Sequence, residues 1–496
     1  MTIKPSQRRG RRGFSLTELL VVMSMLAVIM AGLVVIFQNS TRLAFNQTEL
    51  AGVQQSLRIS HMEVARYVRM AGAGGMPVTW NNLPDPDVTP VTYDTVGAFP
   101  NGFAVALTNN APEDARIPET DDDDDESAHW VIPGSDVLTV RGVLTTPVYF
   151  WKPGVDIEGW VEDGVIDTQT LEIPDRINMT YHRPLDPLIN RIEDARGRDP
   201  QVPLAFIGRD LMNPDAYVIF RLDFAQTDTT LKDCTSDAPA GGVPFPDDKK
   251  PKCITLGLKF DKAEEDFAKA FGNLMLGTNL TDAANSLSLT LPGGSTAPTV
   301  RIPKRISSIG LLEEYRFYVR AEWEVPGDKR TRLTPALTRA EFVPGTEQLI
   351  DRVDVVENVI DLQVAVGIDT DRIVGAVGKD LVTEAEDDSA DEVLFNDPND
   401  LPLDEKKALL QVKLPADPPE HVAWFNPELE YHYLRITTVA ETTRPDLNHR
   451  APALGTIEDV NRRQSFKIDE VDYNYNEDLR YRRRMLTTLV DMRNLK

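Results

Sequence analysis

The sequence predicts an α+β chain: a long N-terminal helix packed on an antiparallel β-sheet, with large loop-rich insertions. Three observations carry that prediction. Residues Leu19–Phe37 contain no charged side chain. Beyond them apolar residues recur at Leu43, Leu50, Val53, Leu57, Val64 and Val68, a helical spacing, and no proline occurs between Pro5 and Pro77. The remainder holds short runs of β-branched and aromatic residues bounded by Gly and Pro, which mark strands.

The uncharged run comes first. Its 19 positions span about 28 Å as an α-helix, close to the roughly 30 Å hydrocarbon core of a bilayer. A helix suits lipid because it satisfies its own backbone N–H and C=O groups. Lys4, Arg8, Arg9, Arg11 and Arg12 precede the run, and residues 1–13 hold no Asp or Glu. That asymmetry keeps the start cytoplasmic and places the bulk of the chain outside. Ala27 and Ala31 lie inside the run, and Gln38, Asn39, Ser40 and Thr41 after it give no clear secretory cleavage site. The expected processing point precedes the run, between Gly13 and Phe14. Cleavage there removes a leader (1–13) and leaves the anchor (14–37) attached.

The helix should continue through 38–75, its apolar stripe facing a sheet. Gly72-Ala73-Gly74-Gly75 and then Pro77 terminate it. The result is one rod of roughly 55–60 residues, about 85 Å long. An anchor followed by a separate juxtamembrane helix, bent near Gly32 or Gly52, is the alternative.

Residues 76–310 read as an insertion-rich extracytoplasmic region. Seven prolines from Pro77 to Pro118 punctuate its start, and Asp121–Asp125 with Glu126 form a solid acidic block. Such a block is a self-repelling solvated loop before it is a cation site. Strands are expected at Asp136–Arg141, Pro147–Trp151 and Ala216–Phe224. Between Lys152 and Asp215 the proline content suggests irregular chain, Ala263–Leu276 a short helix, and Leu287–Thr299 a loop. Residues 311–496 read as a β-rich head. Glu314–Val319 and Leu333–Phe342 form a hairpin, Leu362, Val364 and Val366 face the core at period two, and further strands follow at Tyr431–Val439 and after Arg482.

Lys and Arg number 53 against 78 Asp and Glu, a net charge of −25 that becomes −30 once the five-charge leader is removed. Such acidity opposes non-specific nucleic-acid binding. The arginines at 480 and 482–484 are therefore expected to pair with surface carboxylates, not phosphates. In an exported protein the only two cysteines, Cys234 and Cys253, read as one disulfide. Asp369-Thr370-Asp371 begins like a calcium loop, but Ile373 and Val374 occupy later ligand and glycine places. A turn is expected there, and no metal or cofactor. None of the six histidines lies in a metal spacing, and no nucleophile elbow, P-loop or dinucleotide fingerprint occurs. A membrane-tethered enzyme is the disfavoured class. A binding role for the large middle region is a third.

Gly13-Phe14-Ser15-Leu16-Thr17-Glu18-Leu19-Leu20 resembles the class III cleavage and methylation motif of type IV pilins and type II secretion pseudopilins. The resemblance implies a pilin-like fold, scission of Gly13–Phe14 by a prepilin peptidase, N-methylation of Phe14, and Glu18 as the fifth mature residue. It implies that Glu18 pairs with the N-terminus of a neighbouring subunit. The structural alternative is a first-turn carboxylate favoured by the helix dipole. Residues 348–371, with Val356-Glu357-Asn358 and Asp361-Leu362-Gln363-Val364, and the closing segment 431–494 are similar to PilW-type minor pilins. Implied partners are the inner membrane before assembly, the pilus assembly platform, the major pilin and other minor pilins. The role implied is a minor pilin at or near a filament tip, with a minor type II secretion pseudopilin as the alternative.

Overall fold

The computed structural model describes residues 15–76, 104–108, 111, 115–117, 129–162, 165–178, 181–210, 213–235, 250–260, 286–290, 299–325, 329–346, 348–369, 392–395, 430–446, 449–454, 456–457, 460–461, 466–468, 471–474 and 478–491. One α-helix runs from Leu16 to Met70, 55 residues, about 83 Å at the usual rise. Neither Gly32 nor Gly52 interrupts it, so the single-rod reading holds. The helix stops at the glycine cluster. Gly72 takes φ 74° and donates its N–H to the Arg141 carbonyl at 3.0 Å, and Val143 donates to the Ala73 carbonyl at 2.8 Å. Gly74 has φ +97°, and a Cβ there would lie 2.7 Å from Val143 Cγ2. Only glycine meets both demands.

Among the described residues the strands form a thirteen-stranded and a four-stranded sheet, with four two-stranded ribbons. All the pairings are antiparallel. The spine of the larger sheet is the 19-residue strand Arg305–Trp323. Its first half pairs with Tyr149–Asp156 and Ala205–Asp210, its second half with Val137–Gly142 and Leu333–Phe342. The hairpin expected around Val319 therefore forms, with Val319 opposite Leu337. On one flank the sheet continues through Asn213–Asp233, Lys252–Phe260 and Val165–Pro174. The spine crosses position 310, so strands from both sides of that point share one sheet. Phe206, Phe220, Phe260, Phe317 and Phe342 are fully buried in the core. The arrangement is the expected α+β, pilin-like one: a long apolar N-terminal helix and a large antiparallel sheet with loop-rich regions.

The four-stranded sheet runs Glu392–Phe395, Val359–Asp369, Glu430–Glu441, Arg483–Asp491. The second half of the helix lies on its last two strands and also reaches Leu349–Glu357 and Val137–Gly142. Leu362 and Val364 are buried as expected, but so are the intervening Asp361 and Gln363. The turn 133–136 covers the opposite face. There Gln363 Nε2 donates to the Gly134 carbonyl at 2.8 Å, and Asp136 Oδ2 accepts from the Val364 N–H at 2.7 Å. Asp361 is thus a buried acid within the strand Val359–Asp369.

Two stretches differ from the sequence expectation. The described residues of 152–215 form regular elements, among them the strand Val165–Pro174, the helix Asp186–Gly197 and the strand Ala205–Asp210. One of their prolines lies in the first turn of that helix, where it removes no intrahelical hydrogen bond. Both ends of the expected loop Leu287–Thr299 belong to a hairpin, Ser286–Thr290 paired with Thr299–Pro303. The acidic block, the segment Ala263–Leu276 and all but the first residue of the Asp369–Asp371 motif lie outside the described residues.

Candidate functional site

The candidate site is the N-terminal helix itself, in three consecutive parts: a capped start, a naked apolar half and a seated half. Ser15 is the N-cap, in extended backbone at φ −68°, ψ 142°. Three residues on, the Glu18 carboxylate turns back and accepts the Ser15 N–H at 3.0 Å. This is the capping-box relation, which satisfies a helix donor left without an intrahelical partner. It also points the carboxylate toward the start of the chain. Gly13 and Phe14 lie outside the described residues.

From Leu16 to Phe37 every residue of the helix is exposed. Its most apolar 18-residue window has a mean hydropathy of 3.0 and is 0 % buried. Leu19, Leu26, Ile29, Leu33 and Ile36 are each at least half exposed. Those five share one side of the helix, but the successive Leu20, Val21, Val22 and Met23, about 100° apart, are also at least half exposed, so the half is apolar all round, the pattern of a membrane span or a buried core helix. No part of the described head covers it. An apolar surface of this kind is stable only when lipid or other subunits remove it from water.

The seat begins at Asn46, whose Nδ2 donates to Asp446 Oδ2 at 3.2 Å, while the Arg444 guanidinium lies 5.7 Å from the centre of the Phe45 ring. Val53, Leu57, Val64 and Val68 then enter the core, as the apolar spacing predicts; Leu43, at the outer end of the same stripe, stays exposed. Polar contacts lock the register. His61 Nε2 lies 2.7 Å from Thr438 Oγ1. Arg339 ion-pairs with Glu63 and donates to the Tyr67 hydroxyl at 3.0 Å. The Tyr67 ring packs 4.8 Å from Tyr315 and 5.5 Å from Phe317. Burial pushes the His61 imidazole down from 6.5 to about 4, against a weak upward pull from the Leu486 main chain. It also pushes the Tyr67 phenol up, against the attraction of Arg339.

A buried charge cluster supports the strand under the helix end. Arg141 Nε donates to Glu314 Oε2 at 2.6 Å and Arg316 Nε to Glu314 Oε1 at 2.8 Å, and the Gly345 N–H adds a third bond at 2.7 Å. Burial would raise the Glu314 carboxyl, but the two guanidinium groups and these hydrogen bonds outweigh it and hold it below the usual range. The neighbouring Glu313 caps the turn at Leu144 and Thr145. The contacts of Glu314 with Arg141 and of Glu313 with Leu144 and Thr145 are not visible in sequence, because the partners lie more than 150 positions apart.

The remaining residues singled out from sequence have separate places. Cys234 and Cys253 form a disulfide. It ties the end of Asn213–Asp233 to Lys252–Phe260, so the bridge closes a connection between two paired strands. Arg480, Arg482 and Arg483 ion-pair with Asp478, Asp446 and Glu441, the pairing expected of an acidic chain. Among the described residues no group of three or more His, Cys, Asp or Glu could hold a metal ion.

Residues 8–34 match the family model of the prokaryotic N-terminal methylation motif. This is a class III signal of the type IV pilin kind. It supports a type IV pilin or pseudopilin, a structural subunit carried on a single membrane-spanning helix. The matched residues cover the last six positions of the expected leader, the capped start and most of the naked half. No curated protein and no solved structure matches the chain.

Proposed function

We propose that the chain is a minor type IV pilin that primes or caps a filament at or near its tip. The observation that carries this reading is the helix. Its first half is bare and apolar on every side, its second half is locked to an acidic head, and a class III signal lies at its start. The leader stays cytoplasmic and the head faces out. Prepilin peptidase cuts Gly13–Phe14, and Phe14 becomes the methylated N-terminus. The bare half then leaves the inner membrane through the assembly platform and enters a bundle with the major pilin and other minor pilins, so apolar surface passes from lipid to protein without meeting water. A large head crowds a helical shaft in every layer and fits more easily at its end.

Glu18 is the one acidic side chain in the span, and a charge at mid-membrane costs roughly 2.5–3.5 kcal/mol on insertion scales, less near an end. The capping contact with Ser15 supplies part of its compensation, and we assign the rest to the N-terminus of a neighbouring subunit. Glu18→Ala should leave processing intact, measured by N-terminal sequencing and mass analysis, and abolish incorporation into filaments. Normal incorporation of that variant sinks the pairing. Deletion of the chain separates pilus from secretion assignments: loss of surface pili supports the minor pilin, whereas loss of protein secretion with pili intact supports a minor pseudopilin.

A further inference from the structure

Where the bare half of the helix meets the head, a groove of about 470 Å³ lies between residues 37–49 and the loop 442–446. Phe37, Phe45 and Pro445 give it apolar walls. Phe37 closes the uncharged run, so the groove continues directly from the membrane span. The polar layer on each side of a bilayer's hydrocarbon core is about 5–8 Å thick. Thr41 and Arg42 follow Phe37 by four and five residues, which is about 6 and 8 Å along the axis. They therefore stand at the level of the lipid headgroups, and side chains on a helix lean toward its N-terminus, here toward the lipid. Arg42 is the only charged residue on the helix between Glu18 and Glu49. Across the groove Arg444 is exposed, its guanidinium 5.7 Å over the Phe45 ring. Among the described residues that guanidinium makes no ion pair or hydrogen bond. An arginine over a ring keeps its planar N–H fork for a phosphate. The groove's other charges are settled within it or lie further off. Asp446 takes the Arg482 guanidinium at 2.8 Å and the Asn46 amide at 3.2 Å. Glu49 is two helical turns past Arg42, about 10 Å further from the lipid. Leu447 and Asn448, next after Asp446, carry no charge.

We propose that this groove seats the headgroup of an anionic phospholipid of the phosphatidylglycerol type, in the leaflet on the head's side. Arg444 takes the phosphate, and Arg42 adds positive charge at headgroup depth. The polyol meets the Gln38 and Thr41 side chains, and an acyl chain runs past Phe37 along the uncharged span. A zwitterionic lipid fits less well, because its ammonium group would meet the same two arginines. A lipid held there fixes the height at which the head rides above the membrane. The inference rests on the membrane-spanning helix and stands apart from the filament role.

The test places the full chain in phosphatidylcholine nanodiscs with a trace of spin-labelled phosphatidylglycerol or spin-labelled phosphatidylcholine. Electron paramagnetic resonance reads the fraction of each label immobilised by the protein. The phosphatidylglycerol label should be immobilised in preference, and the preference should fall as salt rises. Arg444→Gln, at an exposed position, should reduce it about fivefold, the weight of one cation at an anionic headgroup. Thr41→Trp, also at an exposed position, fills the groove at unchanged charge and should abolish it. Equal immobilisation of the two labels, or a preference that survives Arg444→Gln, would overturn the site. A preference that survives Thr41→Trp would assign it to diffuse surface charge and overturn the groove. No immobilised lipid of either kind would overturn the anchor together with the site, so the two failures are read apart. Protein dimers in the discs with no immobilised phosphatidylglycerol would put a second copy in the groove and overturn the choice of occupant.

Discussion

Acid should weaken the grip of the head on its helix through a single imidazole. His61 lies in the seated half, 5 % exposed, against Thr438 and Leu486 on adjacent strands of the four-stranded sheet. The Leu486 main chain favours a second proton on the ring, but burial outweighs it. Burial lowers the folded value to about 4 from 6.5. Above pH 6.5 the ring is neutral in both folded and unfolded chains and contributes no pH dependence. As pH falls from 6.5 to 4 the unfolded chain takes up the proton and the folded chain does not, so stability drops by about 1.4 kcal/mol per pH unit. Over that window the loss reaches about 3 kcal/mol, and below pH 4 it stays constant. Carboxylates also titrate here, so the measurement is a difference: urea unfolding of the full chain and of His61→Gln at matched pH values, followed by circular dichroism. The gap between the two proteins should shift by about 3 kcal/mol in favour of the variant between pH 7 and pH 4. A gap that stays flat across that range would refute the argument that burial, not a charge partner, governs His61.

Three further outcomes follow from packing. Leu57→Ala removes a 3 % exposed side chain from the helix–sheet contact and should cost roughly 2–5 kcal/mol in the same unfolding assay, whereas Leu43→Ala, on the exposed part of the stripe, should change it little. Glu314→Ala leaves buried Arg141 without its carboxylate and should cost about 3–5 kcal/mol, read as a fall in the urea midpoint. Reducing Cys234–Cys253 should destabilise the head by about 3 kcal/mol on the chain-entropy account of a loop this size; before reduction, thiol titration of the denatured protein should find no free cysteine.

Much of the fold was legible because its signals are local. The helix extent follows from proline-free chain, apolar spacing and a terminal glycine cluster, each read within a few residues. The hairpin around Val319 and the strand holding Leu362 and Val364 are legible for the same reason, since alternation has a period of two. The elements described within 152–215 were hidden because proline density reads as irregular chain, whereas a proline in the first turn of a helix removes no backbone hydrogen bond. The burial of Asp361 and Gln363 was hidden too. Their cover comes from a turn more than 220 positions earlier, and a polar residue in a strand normally marks the face turned to water.

The amino-acid order alone determined the bare apolar span, the charge asymmetry before it, the class III signal and the position of Glu18, because each depends only on neighbours along the chain. Tertiary structure decided which helix face is seated and which carboxylates neutralise Arg141, Arg339 and Arg482. Those outcomes depend on strand register and crossing, which bring distant residues to hydrogen-bonding range and follow from no short stretch of sequence.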